Sequence, residues 1–496
     1  MIFPSAPGRK LGTGDVLLAG LRMMLGAGLF AALGVATDEA GGWVLLSWGI
    51  AALVAACCAT SALRLTNEET TLAEVLQTKN AHPKLLKNLA AWSLFCGQIM
   101  ACCVLALTIA TYLTPDSVEL TAAGVVVIGV LANRVDWTDL LGTPKQTSGN
   151  PISGVHTAKL FDRRVTTHEL GVTANRLIAF FVLLVLLLVV IASAMSRQVD
   201  LSKLSEGTGA SWGIVTAAGL LFFAFAGYNR TADLRSKRPR FSIPWGTVAM
   251  IASAATIYIL TSLALFASAS PVNLASGNDP FVQAAHFGSF NRLSGIIRFC
   301  VVIACAGVLL PLLRSVSMSV AAVFGKSGTS KSSFPLARHS DVVSGVILLV
   351  LVLLVSVRAG LTFSAFCALI FGAALCTIAL RLPKKPVKPP PEGTLDDRIR
   401  EFQQLEPLPP SKRRLARRER IAQRTQSRAQ IVAEIFVRVA ALFGLIGCLI
   451  LAFSLPPVPM VVAVGVVIVG TATITIVSSA TVSSPPFEFS DEYENY

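Results

Sequence analysis

The chain has 496 residues, of which 53% are hydrophobic and 14% charged, and its mean hydropathy is +0.67. A soluble protein carries roughly 25% charged residues, so a soluble globular enzyme or regulator is excluded and a polytopic membrane protein is expected. The formal net charge of +14 points first to basic cytoplasmic loops; no aromatic residues interleave with the basic runs, so no nucleic-acid partner is expected.

Apolar runs of the roughly 20 residues needed to span a bilayer fall at 14–36, 41–63, 89–113, 118–133, 176–195, 212–229, 246–269, 294–313, 341–357, 360–380, 431–453 and 458–480, twelve in all. The first is too long for the apolar part of a cleavable signal peptide and lacks a small-residue cleavage site. With the N-terminus in the cytoplasm, the loops on the far side hold only Arg197, Lys203, Arg292 and Arg358, and the remaining loop Lys and Arg fall inside. That asymmetry puts both termini in the cytoplasm and makes a plasma membrane, of the bacterial inner-membrane kind, the expected location.

The expected organisation is a cytoplasmic N-terminus at 1–13, a first five-helix unit at 14–195 with a cytoplasmic loop at 134–175, and a second at 212–381. A basic cytoplasmic linker follows at 382–430, then two further helices at 431–480 and an acidic cytoplasmic tail at 481–496. Within the linker, 411–428 is a basic run that either anchors on anionic lipid headgroups or simply fixes topology. The ten cysteines all lie in apolar runs and read as small buried residues. The five histidines lie in loops; no metal or other cofactor is expected.

Two runs are interrupted. In the first, Gly26-Ala27-Gly28-Leu29-Phe30 places two glycines in three residues, each about 1 kcal/mol worse than alanine in a helix interior. Backbone freed at membrane depth is tolerated only where protein or a water-filled cavity receives it, so the break is either a binding site or a tight small-residue helix crossing. The sixth run, Gly219 to Asn229, is short, ends in Gly227-Tyr228-Asn229, and precedes a basic loop closed by Pro239 and Pro244. Two broken helices, five helices apart, suggest two halves of five helices with the second inverted, which puts a substrate site at mid-depth between them.

The motifs themselves resemble those of the amino acid–polyamine–organocation (APC) family of permeases. Gly20 to Phe30 looks like the family's first-helix G-x-G-I-F motif, and Ala40 to Leu53 is similar to its second helix. Phe222-Phe-Ala-Phe-Ala-Gly227-Tyr228, with Pro239-Arg240 and Ser242-Ile243-Pro244, looks like its sixth-helix motif and the loop after it; Arg314 and Phe334-Pro335 resemble the end of the eighth helix more loosely. The resemblance implies an all-α polytopic protein of twelve transmembrane helices: a 5+5 inverted repeat with broken helices 1 and 6, plus two extra helices. It implies that a substrate carboxylate sits on the N–H groups of Gly26, Ala27 and Gly28 and its ammonium on the carbonyls of Phe225, Ala226 and Gly227. Phe225 or Tyr228 would supply an aromatic gate, and Ile99, Cys102 and Cys103 of the third helix part of the side-chain pocket.

The sequence also departs from the family. The second helix lacks the usual glutamate near Ser61, Asn229 and Arg230 stand where acids often follow Gly-Tyr, and no Asp or Glu lies at mid-depth. A carboxylate proton relay and a buried acidic anchor are therefore absent, which favours a neutral or small amino acid. Arg22 lies one turn before the first break; it either snorkels to the cytoplasmic face or places a fixed charge where sodium-driven relatives hold a cation. The eighth run has one hydroxyl, Ser294, at its outer end, so sodium-independent transport, proton-coupled or by exchange, is expected. The rival function is a permease-derived sensor or scaffold that binds without flux. A carrier of the twelve-helix major facilitator type and a membrane enzyme are weaker alternatives, because the charged signature of the first and the clustered catalytic groups of the second are missing. The expected partners are a small-molecule substrate and the bilayer; oligomeric state stays open.

Overall fold

The computed structural model describes residues 21, 24, 28–65, 83–134, 186, 211–228, 243–275, 279–287, 294–324, 340–382 and 434–480. All of the regular structure in them is helical. Helix α1 is Gly28–Ala40 and α2 is Val44–Leu65, joined by a tight 3-10 turn over Gly41–Trp43. Gly41 has φ 56, a left-handed conformation that glycine adopts without the Cβ clash other residues meet, and the chain reverses there.

Helix α3, Lys84–Leu113, starts after Pro83 and stops before Pro115; α4 is Val118–Arg134. Next come α5, Ser211–Phe225, and α6, Ile243–Ser268. Two short helices, α7 at Pro271–Ala275 and α8 at Pro280–Phe287, occupy a stretch expected to be loop. Each opens on a proline, which suits the first helical position because its φ is already set and its missing N–H would have had no partner there. Helix α9, Ser294–Phe324, runs past the apolar boundary expected at 313, carrying Pro311 inside it. Then follow α10, Ser340–Leu354, α11, Val357–Arg381, α12, Glu434–Phe453, and α13, Pro457–Ala480. Ser356 caps α11, its Oγ accepting from the Ala359 N–H.

Eight helical segments among the described residues are long and apolar enough to cross a membrane, and Trp212–Phe225 and Asp341–Leu354 are shorter apolar helices. Of the run expected at 176–195 only Leu186, helical and buried, falls among the described residues. The regions 1–13, 135–175, 383–430 and 481–496, and with them the basic run 411–428, lie outside the described residues.

The layering follows from burial. Helices α3 and α11 pack along each other at the centre; 83% and 78% of their apolar spans are buried, against 17% for α4 and α13. The outward faces of the peripheral helices carry bare aliphatic side chains such as Leu120, Ile128, Val461 and Val469. In water that surface would be costly, about 25 cal/mol per Å²; facing lipid tails it costs nothing. Around the central pair, α5 lies against α1 and α2, α6 against α2, α9 against α3, and α10 against α4.

Candidate functional site

Helices α1 and α5 run antiparallel in direct backbone contact. A Cβ on Gly28 would overlap Ala224, and a Cβ on Gly213 would overlap the carbonyl of Glu39. Eleven residues separate Gly213 from Ala224 and eleven separate Glu39 from Gly28, so the two contacts are in one register. Each contact survives only because a hydrogen replaces a side chain. The first interrupted stretch therefore meets the sixth, at a point one crossing away from the Asp38 end of the bundle.

Helix α5 stops short. Its last residue is Phe225. Ala226 and Gly227 form a turn, with the Ala226 N–H donating to Phe223 O at 3.2 Å, and Tyr228 is again helical. The last carbonyls of a helix have no partner in their own helix. One of them is met from outside: Tyr258 of α6 donates its hydroxyl to Ala224 O at 3.4 Å.

Tyr258 is held by its neighbours. Trp48 of α2 packs against its ring, centroids 4.4 Å apart, and donates its indole N–H to Ser262 Oγ at 3.0 Å. Phe225 packs edge-on against both, at 5.9 Å from Trp48 and 5.3 Å from Tyr258. Trp48, Tyr258 and Phe225 are all fully buried, so this wedge between α2, α5 and α6 fixes the backbone just before the turn. Sequence reasoning passed over Trp48, Tyr258 and Ser262; the signal was there, since buried Trp and Tyr need a hydrogen-bond partner in lipid as in a core.

Of the residues expected to form the site, Gly28 and Phe225 come within one residue of a shared contact, and Ala226 and Gly227 are half-buried in the turn beside them. Tyr228 points elsewhere, its ring 6.2 Å from Phe222 and its hydroxyl 3.3 Å from where a Gly372 Cβ would stand. Ile99, Cys102 and Cys103 are buried on α3. Elsewhere on α3, Ser364 of α11 donates to Gly97 O at 2.9 Å and a Cβ on Gly360 would lie 3.0 Å from Val104. Gly26, Ala27 and Arg22 lie outside the described residues.

Both ends of the bundle are tied by charge. At the Asp38 end, Arg358 at the start of α11 donates to Asp38 Oδ2 and to Glu39 Oε1, each at 2.6 Å. Eight residues earlier on α1, Phe281 of α8 packs on Phe30, ring centroids 4.9 Å apart, and Asp279 pairs with Arg298 at 3.6 Å. At the opposite end, Arg64 of α2 meets Glu434 of α12 at 3.2 Å, and Arg438 reaches Glu434 and Leu382 O, each at 3.5 Å.

No family model matches the sequence. Known relatives do: proteins named uncharacterized transporters in Mycobacterium tuberculosis and Mycobacterium bovis are each 28% identical over 384 residues, covering 75% of this chain and 80% of theirs. The chain is thus a membrane protein with several apolar helices among its described residues, and its similar proteins carry the name of transporter.

Proposed function

We propose that the protein is a secondary active transporter of amino acids that works by alternating access across the plasma membrane, independently of sodium. The observation that carries this reading is the contact of Gly28 with Ala224, which sets one of the two glycines expected to break the first helix beside the end of α5. A helix N-terminus carries about half a positive charge and a C-terminus about half a negative one. Side by side, they match a zwitterion: carboxylate toward the N–H groups of Gly26, Ala27 and Gly28, ammonium toward the carbonyls of Phe225, Ala226 and Gly227. Because Ala224 O already accepts from Tyr258, the carbonyls beyond it are the ones available to an ammonium.

Packing between the halves supports the 5+5 inverted repeat, which with two further helices makes the twelve of this reading. The first, second, third and fourth runs, α1 to α4, pack against the sixth, seventh, eighth and ninth, α5, α6, α9 and α10 respectively. A pseudo-two-fold axis in the membrane plane produces this pairing. On this reading the Asp38 side is extracellular and shut, by Phe281 over Phe30 and by Arg358 on Asp38 and Glu39. Opening toward the outside must break those contacts, and substrate must favour the closed arrangement by its differential affinity. Both termini are cytoplasmic, as in the bacterial inner membrane, and 411–428 rests near anionic headgroups.

The test is ligand-dependent thermal stabilisation of the detergent-purified chain with the twenty amino acids, several polyamines and sodium. A ligand at 100 times its Kd adds about 2.7 kcal/mol. One amino-acid class should raise Tm in the native protein and fail to do so in Gly26→Leu, without any need for sodium, and the same class should accumulate in proteoliposomes. Binding without accumulation would favour the sensor or scaffold; no shift from any of them would remove the amino-acid substrate.

A further inference from the structure

The wall behind the sixth-helix motif is lined with sulfur. Cys58 of α2 and Cys448 of α12 stand Sγ to Sγ at 3.3 Å, and Cys376 of α11 lies 3.9 Å from Cys58 and 3.5 Å from Ser61 Oγ. These residues are far apart in the sequence, and all three thiols are free and buried. The layer is closely built: a Cβ on Gly372 would lie 3.1 Å from both Cys58 Sγ and Cys448 Sγ, and one on Gly444 would lie 2.9 Å from Cys376 Sγ.

We propose that Cys58 and Cys448 form a reversible disulfide when an uncharged two-electron oxidant enters the bilayer. The separation of 3.3 Å is below ordinary sulfur–sulfur contact, and a disulfide needs about 2.05 Å, so the sulfurs must close by little more than an ångström. The absent side chain at Gly372 leaves them that freedom. With molecular iodine as oxidant the step balances. Two S–H bonds break and one S–S bond forms; the two electrons reduce iodine to two iodide ions, and the two protons leave with them. A dithiol reverses it by exchange, taking the disulfide form itself. Cys58 has Cys376 on its other side, but that thiol is more distant and shared with Ser61, so geometry selects Cys448. The bond would tie α2 to α12, helices also joined through Arg64 and Glu434, directly beside the Tyr228 hydroxyl. It requires no assumption about what the protein transports.

The experiment uses the full chain, reduced and reconstituted in nanodiscs, exposed to rising iodine. Remaining thiols are then blocked with N-ethylmaleimide in denaturant and the digest is read by mass spectrometry. The expected result is a Cys58–Cys448 linked peptide as the first intramolecular disulfide, formed as well in Cys376→Ala and abolished by dithiothreitol. It should form at least tenfold more slowly in Gly372→Ala, whose added methyl wedges against both sulfurs. Full maleimide labelling of Cys58 and Cys448 after oxidation, a first disulfide through any other pair, or stepwise oxidation of either thiol to a sulfinic acid would each overturn the proposal.

Discussion

The Asp38 end and the sulfur layer hold the bundle by opposite means. At the Asp38 end, α1 and α11 are linked by Arg358, itself 52% exposed, bridging two carboxylates. Exposed pairs of that kind are worth about 1 kcal/mol or less, and salt weakens them. At the sulfur layer, helices touch through glycine and thiol, and a methyl group fits only if the sulfurs give way. One junction is built to open, the other to hold its shape. The Gly28–Ala224 contact belongs to the second kind even though it lies at the proposed site.

Substitutions sharpen this contrast. The largest effect belongs to Gly28→Leu, whose side chain has no place beside Ala224. It should cost about 3 kcal/mol or more, the upper range for overpacking, and abolish any ligand-induced Tm shift. Gly28→Ala should destabilise too, and adding Ala224→Gly should recover only part of that loss, because the new Cβ meets the Ala224 Cα as well as its methyl; a double-mutant cycle measures the part recovered. Ser262→Ala strips the Trp48 indole of its acceptor; an unsatisfied buried donor costs about 1–3 kcal/mol, read as a lower midpoint in chemical or thermal unfolding. Gly372→Ala should cost about 1 kcal/mol, and Cys448→Ala in the same chain should restore part of it, because the methyl meets that sulfur. Smallest is Arg358→Gln, with a stability loss under about 1 kcal/mol. Raising salt to 1 M, where the Debye length is about 3 Å, should erase that difference. A loss from Arg358→Gln as large as that from Gly28→Leu would break the comparison.

Much of this was legible in the sequence. Hydropathy located the helices that fall among the described residues, since lipid leaves little choice of backbone structure, and the glycines at 28 and 227 marked stretches where α1 and α5 meet closely or end. What hydropathy could not give is rotation. Tyr258 sits in an apolar run with nothing to mark it; that it faces Ala224 rather than lipid depends on how α6 is turned about its axis. The cysteines were read singly as small buried residues, which each is, but their meeting needs three helices in register. Arg358 was counted among the basic residues of a loop, whereas it belongs to the first turn of α11, and its partners lie at the end of a helix 320 positions away. The short helices α7 and α8 were missed because a five-residue or eight-residue helix carries too little periodicity to stand out.

The pairing of Gly28 with Ala224 also bears on heredity. At this point the backbone of α5 itself stands where a side chain on Gly28 would go. A lineage can therefore change residue 224 without freeing residue 28, and a side chain at 28 demands that α5 take another path. The two halves, which could otherwise vary as separate modules, are inherited as one unit at this crossing.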